Sequence, residues 1–135
     1  MNSSSIPVTE LQVVDTTTAP WGKLPIPELD VELDVLPLID DPDTGMSVIK
    51  IVYGAGHVTT WHTHPCAHGI YVLEGTLTTH DGEYGPGAFV WFPEGGKMQH
   101  GATLTDSVTF LFIVNKPFAI DFCDAPQGQA AEEHR

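Results

Sequence analysis

Gly56-His57-Val58-Thr59-Thr60-Trp61-His62-Thr63-His64-Pro65-Cys66-Ala67-His68-Gly69-Ile70-Tyr71-Val72-Leu73-Glu74-Gly75 is the stretch on which the reading of this chain turns. Side chains two apart on a β-strand share a face. His62 and His64 therefore project together, and Pro65 turns or ends their strand. His68 opens the next apolar run, Gly69 to Leu73, and can return a third imidazole to the same cavity. His100 follows 32 residues later, so four of the seven histidines fall in one constellation. Neutral imidazole suits zinc, copper, iron and nickel. With four histidines and no carboxylate as ligands, the ion would keep its full positive charge.

The surrounding sequence is that of an all-β domain. Leu29, Val31, Leu33 and Val35 alternate with Glu28, Asp30, Glu32 and Asp34, predicting a strand with one wet, acidic face. Asp40 to Gly45 is a turn by composition. Met46 to Tyr53 reads as a second strand, and Gly54-Ala55-Gly56 turns it into a third that ends at the histidines. Gly69 to Thr79 is extended and broken at Glu74-Gly75. Asp81 to Gly87 is a glycine-rich turn, Ala88 to Phe92 an apolar strand closed by Pro93 to Gly96, and Val108 to Val114 the last clear strand. No amphipathic helix of useful length is evident. Short strands with glycine and proline turns imply a sandwich or barrel.

Composition narrows the partners. The 135 residues form one domain with room for a core. A net charge of −13 with five basic residues argues against nucleic acid and against anionic membrane surfaces. The first ten residues carry no signal-peptide pattern, and no run is long enough to span a bilayer. Two cysteines, Cys66 and Cys123, make no disulfide framework, so a reduced cytoplasmic setting is expected. Cys66 reads as a small packing residue. His57, His80 and His134 fall in turns or the tail and are expected to be exposed.

The motifs resemble those of small single-domain cupins. In the first cupin motif a glycine precedes His-x-His by five residues, a glutamate follows, and a glycine closes it. Here Gly56, His62-Thr63-His64, His68 and Gly75 keep that spacing, with His68 where glutamate is usual. The second motif, glycine, five residues, Pro-x-Gly and a histidine, is matched by Gly87, Pro93-Glu94-Gly95 and His100, the histidine lying two residues late. The resemblance implies a jelly-roll barrel, the cupin double-stranded β-helix. It also implies an N-terminal arm over 1–27, a cupin domain over 28–122 and a tail over 123–135. It places His62, His64, His68 and His100 as ligands of one divalent metal ion per chain, with His68 either a fourth ligand or a base beside the metal. Iron(II) is favoured; manganese, zinc, nickel or copper would also suit the ligands.

Three groups within the family share local features. Ile70 to Gly75 after the histidines is similar to small four-histidine manganese or iron cupins. Thr60 to Pro65, Val90-Trp91-Phe92 and His100-Gly101-Ala102 resemble bacterial cupin hydroxynitrile lyases, which carry glutamine at the place of His68. Leu73-Glu74-Gly75, the 81–87 turn and Val108 to Phe112 are similar to dioxygenases that cleave β-diketones and hydroxyacetophenones, a look shared by the sensory cupin domain of an anti-sigma factor. The resemblance implies an oxygenase acting on a small enolisable carbonyl or phenolic compound. A lyase, isomerase or cyclase, or a sensing module, is the alternative. Trp61, Tyr71, Phe89, Trp91, Phe92, Phe110 and Phe112 are candidates for pocket or core, and Tyr71 for proton transfer. Strands 46–53 and 107–115 fit a homodimer built by sheet packing.

Overall fold

The computed structural model describes residues 8–127. His134 and most of the expected tail lie outside them. Among the described residues eleven strands make two antiparallel sheets, as a jelly roll requires. They are β1 (Gly22–Ile26), β2 (Val31–Asp40), β3 (Ser47–Tyr53), β4 (Val58–Thr63), β5 (His68–Glu74), β6 (Leu77–Thr79), β7 (Gly82–Tyr84), β8 (Phe89–Phe92), β9 (Met98–Ala102), β10 (Val108–Val114) and β11 (Asp121–Phe122). One sheet runs β1-β2-β3-β10-β5-β8 and the other β11-β4-β9-β6-β7.

The core lies between the sheets. Along β10, Val108, Phe110, Phe112 and Val114 are buried while Thr109, Leu111 and Ile113 face the other way. Along β5 the inward residues are His68, Ile70 and Val72. Leu77 and Met98 meet them from the smaller sheet, both essentially without solvent contact. Branched and aromatic side chains at alternate positions are what a half-buried pleated surface favours.

Three local outcomes differ from the sequence reading. Pro27–Leu29 forms a single 3-10 turn, and Asp30, at φ 55°, closes it by donating its N–H to the Pro27 carbonyl. The strand expected from Glu28 therefore begins at Val31. Within the 81–87 segment, Gly82–Tyr84 is itself a strand, paired with β6 around a tip at His80-Asp81. Gly22–Ile26, inside the segment read as an arm, is the strand that pairs with β2.

β9 was not foreseen as a strand. Met-Gln-His-Gly-Ala has no alternating pattern, because all five residues are buried between β4 and β6. Gly101 is needed there: a Cβ would stand 2.1 Å from the His57 carbonyl oxygen. Gly75 is held likewise, at φ +81° with the Ser107 oxygen 2.2 Å from where a Cβ would be.

Candidate metal centre

A bulge in β4 builds the site. Thr59 pairs with His100, yet His62 pairs with Met98, so an extra residue is accommodated between them. Thr59 and His62, three apart, consequently both line the same cavity, whereas Thr60 is exposed. His64 follows just beyond the strand, and His100 projects from the middle of β9. The side-chain nitrogens that His62, His64 and His100 can offer lie within 4.8 Å of one another. The rings meet nearly at right angles, with His62 4.8 Å from His64 and 4.9 Å from His100 between centroids.

Each ring is oriented from behind. His62 Nδ1–H donates to the Thr60 carbonyl and His64 Nδ1–H to the Ala119 carbonyl, both at 2.6 Å. A carbonyl only accepts, so the neutral rings carry their proton on Nδ1 and leave Nε2 bare. His100 Nδ1 lies 3.0 Å from the Tyr53 hydroxyl. The Nε2 atoms of all three are buried without a protein partner. Each such orphan costs on the order of 1–3 kcal/mol, and three aimed at one point are accounted for by a shared ligand. The donors are neutral imidazoles, which fit a divalent transition metal.

His68 belongs to the other sheet. Its ring is stacked on Phe92 at 4.7 Å, rests against Phe112 at 4.7 Å and stands edge-on to His64 at 4.7 Å. It lies outside the group of three, 6.1 Å from His100, and both its nitrogens lack a partner. Burial disfavours the charged form of every ring here. His62 is pushed down to about 4 and His68 to about 3, chiefly by desolvation. His64 is lowered and His100 well lowered by the same cause. The four rings are therefore unprotonated at neutral pH, as metal ligation needs.

The three histidines open on a cavity of about 570 Å³. Its wall is mostly aliphatic and aromatic, including Leu33, Val35, Ile49, Ile51, Phe112, Phe118 and Ile120. Among the described residues that line it, Lys23 and Asp40 are the charged ones, the histidines being neutral. Lys23 is itself paired with Asp34.

Several expectations are corrected. Tyr71 points away from the site and is 39% exposed, because inward residues of β5 have the parity of His68, Ile70 and Val72. The tyrosine at the site is Tyr53, at the end of β3, which no local motif flagged. Phe89 and Trp91 are likewise outside, 56% and 52% exposed, while Trp61, Phe92, Phe110 and Phe112 are buried. His80 is exposed and leans on Trp61. His57 is only partly exposed, its Nε2 2.7 Å from the Thr59 hydroxyl. Cys66 is wholly buried in the core and, like Cys123, is a free thiol.

The profile of the ChrR cupin-like domain matches residues 9–119. The chain belongs to that family. This cupin is 33% identical over 98 residues to (R)-mandelonitrile lyase of Granulicella tundricola, covering 68% of the chain and 75% of the lyase. Among solved structures it is similar to the polyketide cyclase RemF of Streptomyces resistomycificus, with a TM-score of 0.66 at 22% identity over 87% of this chain and 89% of that one. A candidate dioxygenase of Nostoc punctiforme gives a TM-score of 0.73 at 15% identity, covering 87% of this cupin and 43% of the other chain. At such identities the two structures speak for the fold alone.

Proposed function

We propose that this cupin is a metal-dependent enzyme that activates a small, uncharged carbonyl or phenolic compound, in the first reading an oxygenase. One observation carries the proposal: three buried, unpartnered imidazole nitrogens stand together on a cavity whose remaining wall is largely apolar. His62, His64 and His100 would hold the ion, with His68 as a fourth ligand or as a base beside it. A divalent metal supplies Lewis acidity toward a substrate oxygen and, if redox-active as iron(II) is, an electron route to dioxygen.

The chain's own residues do the rest. The Thr60 and Ala119 carbonyls keep two rings in register. The apolar wall excludes water and accepts an alkyl or aryl body. Among the described residues the one lysine in the cavity wall, Lys23, is engaged by Asp34. A second reading, oxygen-independent carbon–carbon cleavage, is favoured by the likeness to the mandelonitrile lyase. The two readings share a substrate oxygen at the metal and differ in whether dioxygen is consumed.

The test is purification without a histidine tag or chelator, elemental analysis, and assay of a β-diketone and hydroxyacetophenone panel with an oxygen electrode. Turnover with stoichiometric oxygen uptake is expected. Cleavage of an aromatic cyanohydrin under argon would transfer the proposal to the second reading. Absence of any metal after reconstitution would sink both.

The same proposal includes a cytoplasmic homodimer joined through the outer face of the larger sheet. Leu111, Tyr71 and Phe89 lie side by side there, in register across β10, β5 and β8, with Ile113 and Trp91 in the next row. Five apolar side chains on one outer face suit a second sheet better than water.

A further inference from the structure

The wall of the metal cavity is not uniform. Where β2 and β3 line it, it is branched and aliphatic, with Leu33, Val35, Ile49 and Ile51. Beside His64 it is aromatic. Phe112 comes from β10 and Phe118 from the segment between β10 and β11. Their rings meet edge to face, 5.4 Å apart at 88°. The Phe118 ring leans on His64 at 4.9 Å with 33° between the planes. Phe112 stands 6.3 Å from the same imidazole.

Phe118 joins the rim of the cavity to its floor. The exposed residues of the lining are Gly22, Lys23, Pro117 and Phe118, whereas His62, His64 and His100 are buried. Phe118 is 40% exposed and yet in ring contact with one of those histidines. A single side chain thus spans from solvent to a candidate ligand. Its open phenyl surface is apolar, so a guest that covers it gains free energy by removing it from water.

The backbone on either side is anchored. Pro117 packs so closely on the 41–45 turn that a Cβ on Gly45 would fall 2.3 Å from the proline Cδ. The Ala119 carbonyl accepts from His64 at 2.6 Å, and Asp121 and Phe122 pair with β4. The Phe118 ring is therefore presented from a fixed segment, as a recognition surface needs.

We propose that Phe118, backed by Phe112, determines specificity by receiving a flat aromatic ring of the guest. The substrate class is then an aryl ketone or phenol, not a saturated carbonyl compound of the same size. The guest ring packs between the Phe118–Phe112 corner and the aliphatic wall, with its oxygen toward the histidines. Offset or edge-on contact between aromatic rings strengthens binding about 3–10-fold beyond what area alone gives. The inference rests on the reading of this cavity as the substrate site and is independent of which reaction follows.

Acetophenone and cyclohexyl methyl ketone have nearly the same size and differ in whether the ring is flat and aromatic. Their dissociation constants are to be measured by titration calorimetry on metal-free and on zinc-loaded protein. The wild type is expected to favour acetophenone about 3–10-fold in both forms. Phe118→Leu, which keeps an apolar side chain, should bring the two constants within about twofold of each other, and Phe118→Tyr should retain the preference. In the metal-free protein this ratio is untouched by any change in zinc affinity that the substitutions bring. Equal constants in the wild type overturn the proposal. So does a preference that survives in Phe118→Leu, or failure of both ketones to bind. If the wild type takes up no zinc, the metal reading falls, while the ratio in the metal-free protein still decides the role of Phe118.

Discussion

β5 shows two faces that share a backbone and almost nothing else. Inward it presents His68, Ile70 and Val72, all buried; outward it presents Gly69, Tyr71 and Leu73, with Tyr71 39% exposed. Both faces are rich in rings. Inside, rings come with nitrogens that no protein group satisfies. Outside, Tyr71, Phe89 and Trp91 form a surface whose apolar area is what stands out. The difference teaches that aromatic content does not locate a site. A convergence of unsatisfied polar atoms does, because burying them costs free energy that a shared ligand recovers.

The comparison is broken most directly by emptying the inner face. His62→Ala with His64→Ala should reduce metal affinity by at least about 100-fold while leaving the strand content of the metal-free protein unchanged by circular dichroism. Retained stoichiometric metal would show that the orphaned nitrogens have another purpose. The outer-face counterpart, Phe89→Ser with Trp91→Ser, should keep metal affinity within twofold and yield a monomer by light scattering, in line with the proposed homodimer.

A pair of glycines extends the contrast to stability. Gly101→Ala puts a methyl against the His57 backbone in a fully buried strand and should cost about 2–4 kcal/mol in urea unfolding. Gly69→Ala meets the Phe89 ring at 2.5 Å, but that ring is more than half exposed and can swing aside. A cost below about 1 kcal/mol is expected, and near-equal costs would show that the outer face is as rigid as the inner one.

Acid gives the gentlest probe. His62 and His68 stay neutral in the folded chain down to about 4 and about 3, whereas in the unfolded chain an imidazole takes up its proton near pH 6.5. Below that pH the unfolded state binds more protons, so stability falls as pH drops from about 6.5 toward 4 and is flat above. In the metal-free protein His62 and His68 together should cost roughly 2–4 kcal/mol between pH 7 and 5, and His64 and His100, lowered by the same burial, add to the loss. His68→Phe should shallow that slope; an unchanged slope would take His68 out of the account.

The barrel and the histidine spacing were legible in the sequence for a physical reason. Alternation along β10 and the His-x-His parity are local consequences of the pleat, and Gly75 marks a place where the backbone must take positive φ. What was hidden depends on register. The bulge that puts Thr59 and His62 on one face is visible only in the pairing with β9, and β9 itself, buried on both sides, carries no period. Tyr53 is 47 residues from His100 and reaches it only because β3 lies in the facing sheet. Tyr71, close to the histidines in sequence, has the wrong parity. Proximity along the chain and proximity across a barrel are different quantities.

The segment from Pro117 to Phe122 ties two of the protein's tasks to one short piece of chain. Pro117, Phe118 and Ile120 form part of the cavity wall, the Ala119 carbonyl between them holds His64, and Asp121 and Phe122 pair with β4 at Thr63 and His62. A change of side chain here to admit a different guest also shifts the carbonyl that aims a ligand. Relatives adapting to new compounds along this edge must therefore retune the ion as they reshape the pocket. The more permissive ground for divergence is the opposite wall, where Leu33, Val35, Ile49 and Ile51 line the same space.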